Sequence, residues 1–343
     1  MKNPADFPPQ PILASLARLS DFDRVPYDIC KLPREQWATG DYVVGEIVAP
    51  PSPHTGIELT SGRWIEVAQG DTVVGALGIR TATLEAVGDW REIGDDGRMQ
   101  ALTSAGLFAR ATSISTFVSR LIELEYCGHA VRGGVKARMK DFVPQPPESP
   151  FDCPTVLIIG TSMSSGKTTA AKVIIRRLKR LGLKVAGAKL TGAGRYRDIL
   201  AMGDAGADAI FDFVDVGLPS TVCPASEFAD SLETLLGFIA QARPDVVVAE
   251  AGASPLEPYN GEVVVKRLRE QIKCTVLCAS DPYAVVGVTK GFGFDPDLVA
   301  GVATSTSAGV DVVHKLTGVP AMNLVDPGSS RELDALLKRK LSI

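Results

Sequence analysis

The stretch Gly160-Thr161-Ser162-Met163-Ser164-Ser165-Gly166-Lys167-Thr168-Thr169 constrains this chain more than any other. Before it stands Thr155-Val156-Leu157-Ile158-Ile159, apolar and β-branched, which reads as a buried strand. After it, Ala171, Ile174, Ile175, Leu178 and Leu181 recur at helical spacing. Lys172, Arg176, Arg177, Lys179 and Arg180 fill the opposite face, and Gly182 supplies a stop. A loop of small residues between a buried strand and an amphipathic helix is the setting of a phosphate loop. Its backbone N–H groups converge on phosphate oxygens, and the helix N-terminus adds positive potential. Lys167 is then the residue that reaches the β- and γ-phosphates, and the Thr168 hydroxyl the one that holds Mg²⁺. The spacing is G-x5-G-K-T, because Thr161 stands where the common pattern has its first glycine and Gly160 comes one residue earlier.

At 343 residues the chain suggests two domains, since a single core seldom grows past about 250–300 residues. An apolar content of 45% and a formal charge of −4 describe a soluble globular protein, with no basic excess to favour nucleic acid. No apolar run approaches a membrane span. The polar, proline-containing start Met1-Lys2-Asn3-Pro4-Ala5-Asp6 does not read as a signal peptide. Cys30, Cys127, Cys153, Cys223, Cys274 and Cys278 include no C-x-x-C pair, so reduced thiols in a cytoplasmic protein are expected.

The first half begins with a short helix expected within residues 11–20. From Gly40 it turns β-like: Tyr42–Val48, Gly56–Leu59, Trp64–Val67, Asp71–Gly78 and Thr81–Leu84 are short apolar runs, and Ser61-Gly62 is a hairpin signal. Val118–Val131 reads with alternating faces, Arg132-Gly133-Gly134 as a turn into Val135–Arg138, and residues 98–108 as a helix. A small barrel or sandwich over 1–143 is predicted. His54 and His129 are isolated and read as structural, and no catalytic signature stands out in this half. Five prolines in the eleven residues from Pro144 to Pro154 then mark a semi-rigid linker, so that 1–143 and 155–343 are expected as separate folding units.

The second half alternates. Lys184–Lys189, Asp245–Glu250, Thr275–Ala279, Val299–Ala303 and Ala321–Leu324 join the first strand as parallel strands. Helices lie between them near Ser226–Ala242, Gly309–Leu316 and Ser330–Lys340. This is an α/β, doubly wound, mainly parallel sheet preceded by a smaller β-rich domain. Ligands in such sheets sit at the carboxyl ends of the strands, where the phosphate loop, Lys189, Glu250-Ala251-Gly252 and Ser280-Asp281-Pro282 all fall. Lys189 there is either a solvated lysine or a phosphate partner. Glu250 is either a helix-capping glutamate or an acid supporting Mg²⁺. Arg195 and Arg197 either make a solvated basic loop or clamp a substrate carboxylate.

The G-x5-G-K-T loop resembles that of dethiobiotin synthetase and related P-loop ATPases. So do Gly187-Ala188-Lys189-Leu190-Thr191-Gly192, Asp198 in Tyr196-Arg197-Asp198-Ile199-Leu200, and Ala249-Glu250-Ala251-Gly252-Ala253. The resemblance implies that Thr168, Asp198 and Glu250 surround Mg²⁺ and that Lys167 and Lys189 neutralise phosphate and substrate charge. Ser162, Leu190 and Gly252 depart from that family's usual Asp, Pro and Ala, and the first 150 residues have no counterpart in it. The long N-terminal part resembles instead a P-loop family that includes D-glutamate N-acetyltransferase.

These readings lead to an ATP- and Mg²⁺-dependent ligase or synthetase that phosphorylates a small carboxylate or carbamate. The catalytic set is Lys167, Lys189 and Glu250, with Arg195 and Arg197 at the substrate and no nucleic-acid or membrane partner. The alternatives are an N-acyltransferase of an amino acid, or a nucleotide-dependent switch or metallochaperone. A homo-oligomer is expected.

Overall fold

A computed structural model describes residues 10–49, 56–145, 149–252 and 254–343. The chain's start, His54, the middle of the proline-rich stretch and Ala253 lie outside the described residues.

The first half contributes β1 (Ile12–Leu13), β2 (Asp28–Cys30), β3 (Tyr42–Ile47), β4 (Gly56–Glu58), β5 (Trp64–Glu66), β6 (Thr72–Leu77), β7 (Ile79–Thr81) and β8 (Ala86–Asp89). It continues with β9 (Arg98–Thr103), β10 (Leu107–Ile114), β11 (Ile122–Arg132) and β12 (Val135–Lys136). β6 pairs with β3, β3 with β11, β11 with β9 and β9 with β10, all antiparallel. β10 then returns to β6 in parallel and closes a ring of strands. β7 and β8 extend the sheet beyond β10, and β4–β5 is a separate hairpin turning at Ser61-Gly62.

The ring explains why these strands are apolar on both faces. Val43, Ile47, Val73, Leu77, Met99 and Phe108 point into it, whereas their neighbours Tyr42, Val44, Val74, Ala76, Leu107 and Ala109 point out into a second core. So narrow an interior leaves no room at Gly75, where a Cβ would run into the Gly106 carbonyl oxygen and the Phe108 ring.

The helix expected at residues 98–108 is instead the β9–β10 hairpin. Its opening run Arg98-Met99-Gln100-Ala101-Leu102 consists of good helix formers, but Gly106 (φ 86°) turns the chain, and both faces of the strands find cores to bury in. The helix expected within residues 11–20 is β1 followed by a 3-10 turn at Ser15–Leu19.

The second half supplies a fully parallel sheet. Its strands are β13 (Thr155–Gly160), β14 (Val185–Thr191), β15 (Ala209–Asp212), β16 (Val246–Ala251), β17 (Ile272–Cys278) and β18 (Leu298–Ala300), in spatial order β15-β14-β16-β13-β17-β18. The helices are α1 (Lys167–Arg180), α2 (Tyr196–Asp204), α3 (Ala225–Gln241), α4 (Gly261–Arg267), α5 (Pro282–Phe292), α6 (Ser307–Thr317) and α7 (Ser330–Leu341). Along β13, Val156 and Ile158 pack on one face with α1 and α7, and Leu157 and Ile159 on the other with α3.

β15 is a short, half-exposed edge strand with little sequence signal. Ala321–Leu324, expected as a strand, makes only one bridge, Ala321 to Val299, because Pro320 lacks an N–H and the chain turns away at Asn323. No helix among the described residues is long and apolar enough to cross a membrane.

The two sheets share one core. Leu16, Tyr42, Val74 and Leu107 from the first half lie in the same buried cluster as Phe213, Val214, Leu218 and Leu235 from the second, and Phe151 and Cys153 of the proline-rich stretch are buried there too. Charged contacts cross the same boundary. Arg18 Nη2 donates to Asp212 at 2.5 Å and to Asp215 at 2.8 Å.

Candidate phosphate site

Strand register sets the site. In the parallel ladders Ile158 lies beside Glu250, and Glu250 beside Lys189, so three adjacent strands deliver the phosphate loop, the acid and the lysine at one level. The loop between β13 and α1 is tightly tethered. The Thr161 N–H donates to the Cys278 carbonyl at 3.0 Å, and the Thr161 hydroxyl accepts the Ser280 N–H at 3.0 Å. The threonine at the unusual position thus ties the loop to the end of β17.

Two loop residues hold left-handed backbone, Ser164 (φ 59°) and Gly166 (φ 101°). Such conformation is costly for serine and persists where the surroundings impose it. A Cβ on Gly166 would sit 3.0 Å from the Gly301 Cα, so glycine is required there on both counts.

Lys167, the first residue of α1, is 6% exposed, and its Nζ donates to the Ser162 carbonyl at 2.7 Å. Burial lowers its pKa, with Glu250 opposing. The next side chain, Thr168, donates its hydroxyl to Glu250 Oε2 at 3.2 Å. Glu250 is 3% exposed, so it is no solvated helix cap. A Cβ at Gly252 would come within 3.3 Å of Glu250 Oε1, so a larger residue there would press on the acid.

Lys189 Nζ is 2.6 Å from Asp198 Oδ2. Burial disfavours its charge, but Asp198 and Glu250 outweigh burial and raise the pKa. Burial likewise works against the Asp198 carboxylate, which Lys189, Arg195 and Arg197 hold below its ordinary value.

These groups line one cavity of about 280 Å³. Met163, Ser164, Gly166, Lys167, Thr168, Thr169, Lys189, Arg195, Asp198 and Glu250 all reach its wall. Of the remaining residues singled out in the sequence, Gly160 ends β13, Thr161, Ser162 and Ser165 support the loop from behind, and Arg197 lines a neighbouring cavity.

The donor set suits a small hard cation shared with phosphate: a hydroxyl and a carboxylate in hydrogen-bond contact. Asp198 is committed to Lys189, and among the described residues no three His, Cys, Asp or Glu side chains gather to hold a metal by themselves.

Three residues of the wall, Arg80, Glu85 and Thr103, come from the first half and were not singled out in the sequence. The available signal was slight: an arginine at the centre of Ile79-Arg80-Thr81, where strand alternation turns it inward. The second cavity, about 400 Å³, shares Arg80, Glu85, Thr103 and Arg195 with the first, and Arg120 and Arg197 also line it.

No protein-family model matches the chain, and no curated protein does. Among solved structures it is similar to a duf1611 family protein from Anabaena variabilis, at 16% identity over 61% of this chain and 65% of that one, with a TM-score of 0.39. It is similar to LAO/AO transport system kinase at 16% identity over 56% and 63%, with a TM-score of 0.35. A third neighbour is HypB from Helicobacter pylori, solved in complex with nickel, at 16% identity over 56% and 88%, with a TM-score of 0.37. The matches span less than two thirds of the first two of these solved chains.

Proposed function

We propose that the protein is a nucleotide- and Mg²⁺-dependent enzyme, with ATP as the nucleotide, that activates a small carboxylate by phosphorylating it. The observation that carries this reading is the common wall of the two cavities. A chamber lined by Lys167, Thr168, Lys189 and Glu250 adjoins a larger one lined by arginines, with Arg80 and Arg195 in the wall of both. Among the described residues, Arg120, Arg195 and Arg197 have no side-chain carboxylate partner within salt-bridge distance. Arginines left in this way suit a carboxylate, which a guanidinium binds through two parallel hydrogen bonds.

In the reaction a carboxylate oxygen attacks the terminal phosphorus. The bond to the bridging oxygen breaks, and that oxygen keeps the electron pair on the departing nucleoside diphosphate. An amine then displaces inorganic phosphate from the acyl phosphate and loses a proton to solvent. Such chemistry depends on positioning and charge neutralisation more than on a protein nucleophile. Lys167 and the loop N–H groups hold the nucleotide phosphates, and Lys189, oriented by Asp198, faces the charge that develops during transfer. Thr168 and Glu250 would hold Mg²⁺, which would supply positive charge to offset that of the phosphates.

The test is a screen of monocarboxylates, dicarboxylates and amino acids for phosphate release that requires both nucleotide and carboxylate. Lys167→Ala should abolish the signal and weaken nucleotide binding about tenfold or more, the loss of one charge-assisted contact. Nucleotide binding unchanged in that variant would remove the phosphate-site assignment. Turnover driven by no carboxylate, but by an added protein, would favour a switch.

A further inference from the structure

We propose that Arg80 is a catalytic residue supplied by the first sheet to the terminal phosphate of the bound nucleotide, and that Glu85 holds it when that phosphate is absent. The inference rests on the nucleotide reading above but not on the identity of the acceptor.

Arg80 is placed from both sides. The Ile79 carbonyl accepts the Ser220 hydroxyl at 2.6 Å, and the Thr81 N–H donates to the Tyr259 hydroxyl at 3.1 Å. Both anchors belong to the second half, so the residue between them is fixed relative to the phosphate loop even though it lies on the other sheet. Its side chain is 7% exposed. Nη1 donates to the Leu102 carbonyl at 2.6 Å, and Nη2 meets Glu85 and, at 3.6 Å, the Met163 sulfur within the phosphate loop. Nε finds no acceptor among the described residues.

A buried guanidinium with a donor unspent and a thioether as one neighbour has capacity for a further anion. Leaving such a charge partly satisfied is costly unless something else completes it. The position says which phosphate does so. Arg80 lines both cavities, so it stands at their junction, whereas Lys167 and Thr168 line the phosphate chamber alone. The phosphate nearest the junction is the terminal one, where transfer to an acceptor in the second chamber occurs. Charge moves there during reaction, and a fixed guanidinium is most effective at such a point. Glu85 occupies Nη2, the donor that also reaches the phosphate loop at Met163, so the Arg80–Glu85 pair is the resting arrangement that an arriving phosphate must displace.

The experiment is calorimetry on the full chain with Mg²⁺, using AMP-PNP and ADP as probes and GMP-PNP and GDP in parallel. Arg80→Gln should weaken the triphosphate analogue about tenfold or more while leaving the diphosphate within about twofold. Glu85→Gln should tighten the triphosphate analogue severalfold with little effect on the diphosphate. Arg80→Lys, which keeps the charge and loses the fork, should fall between. Equal loss for both members of a pair would overturn the proposal, since a merely structural arginine does not distinguish them. If Arg80→Gln does not fold, an unchanged triphosphate affinity in Glu85→Gln overturns it instead. Failure of the unaltered protein to bind any of the four nucleotides would bring down the nucleotide reading itself, and this proposal with it.

Discussion

The carboxylate of Glu58, on β4, accepts the backbone N–H of Tyr196 at 2.6 Å, at the first turn of α2 on the other sheet. It also accepts the Arg197 N–H at 3.1 Å and the Ser15 hydroxyl at 2.6 Å, and Glu58 is 1% exposed. A helix start carries N–H groups with no partner of their own and a partial positive charge, and here a buried acid from 138 residues earlier in the chain satisfies both. Since α2 carries Asp198, the first half of the molecule sets the position of a residue in the phosphate cavity.

Glu58→Ala should therefore cost about 2 kcal/mol or more, combining a lost helix cap with a buried serine hydroxyl left unpaired. Urea denaturation followed by fluorescence measures this. Nucleotide affinity should fall as well, because the start of α2 loosens. A midpoint and an affinity both equal to those of the unaltered protein would show that α2 is held by packing alone.

The Arg18–Asp212–Asp215 cluster makes the same boundary sensitive to pH. Burial, reinforced by Asp212 and opposed by Arg18, pushes the Asp215 carboxyl up to about 6. An unfolded aspartate titrates near about 4, so between those values the folded chain holds the proton more tightly. Folding is thus favoured at the acid end of that window and loses this contribution as pH rises through about 6. Asp215→Asn, a fixed stand-in for the protonated form, should gain on the unaltered protein as pH rises from 5 to 7. Thermal midpoints at three pH values decide the matter, and a constant difference between the two proteins would sink it.

The shared core bears on how separable the two halves are. Phe213, Val214 and Leu218 are buried against Leu16, Tyr42 and Leu107, so cutting the chain within 144–150 should leave the pieces associated. Residues 155–343 expressed alone should aggregate, because a large apolar face is uncovered. Size-exclusion chromatography of the nicked protein under native conditions tests this. Two separate folded peaks would show that the proline-rich stretch joins independent units.

What could be read from the sequence, and what could not, follows from range. The strand–loop–helix unit from Thr155 to Arg180 was legible because its parts are contiguous, and the strand-end placement of Lys189 and Glu250 because each comes near the close of an apolar run. The β9–β10 hairpin was missed because Arg98-Met99-Gln100-Ala101-Leu102 are good helix formers whose local preference tertiary packing overrides. Arg80, Glu85 and Glu58 gave almost no local signal. Their roles arise only when the closed ring of strands is laid against the parallel sheet, and nothing in the spacing of one segment encodes that contact.

Glu250 separates chemistry from binding. It is buried at the end of β16 and accepts the Thr168 hydroxyl at 3.2 Å, and in the proposed reaction its charge would support Mg²⁺. Glu250→Gln keeps the shape and can keep the hydrogen bond to Thr168 while removing the charge. Nucleotide affinity should fall modestly, and turnover by about 10²-fold or more, since the missing charge matters most while phosphate charge redistributes. Raising Mg²⁺ should restore only part of the rate. The stability of the variant is the control: an uncharged amide in a buried position beside Lys167 and Lys189 leaves two ammonium groups less compensated, because the Glu250 charge favours the protonated form of both against burial. Turnover is therefore compared at a temperature where both proteins are fully folded, judged by thermal denaturation. Turnover near that of the unaltered protein, with folding intact, would remove Glu250 from the catalytic set and leave Lys167 and the loop N–H groups as a binding site alone.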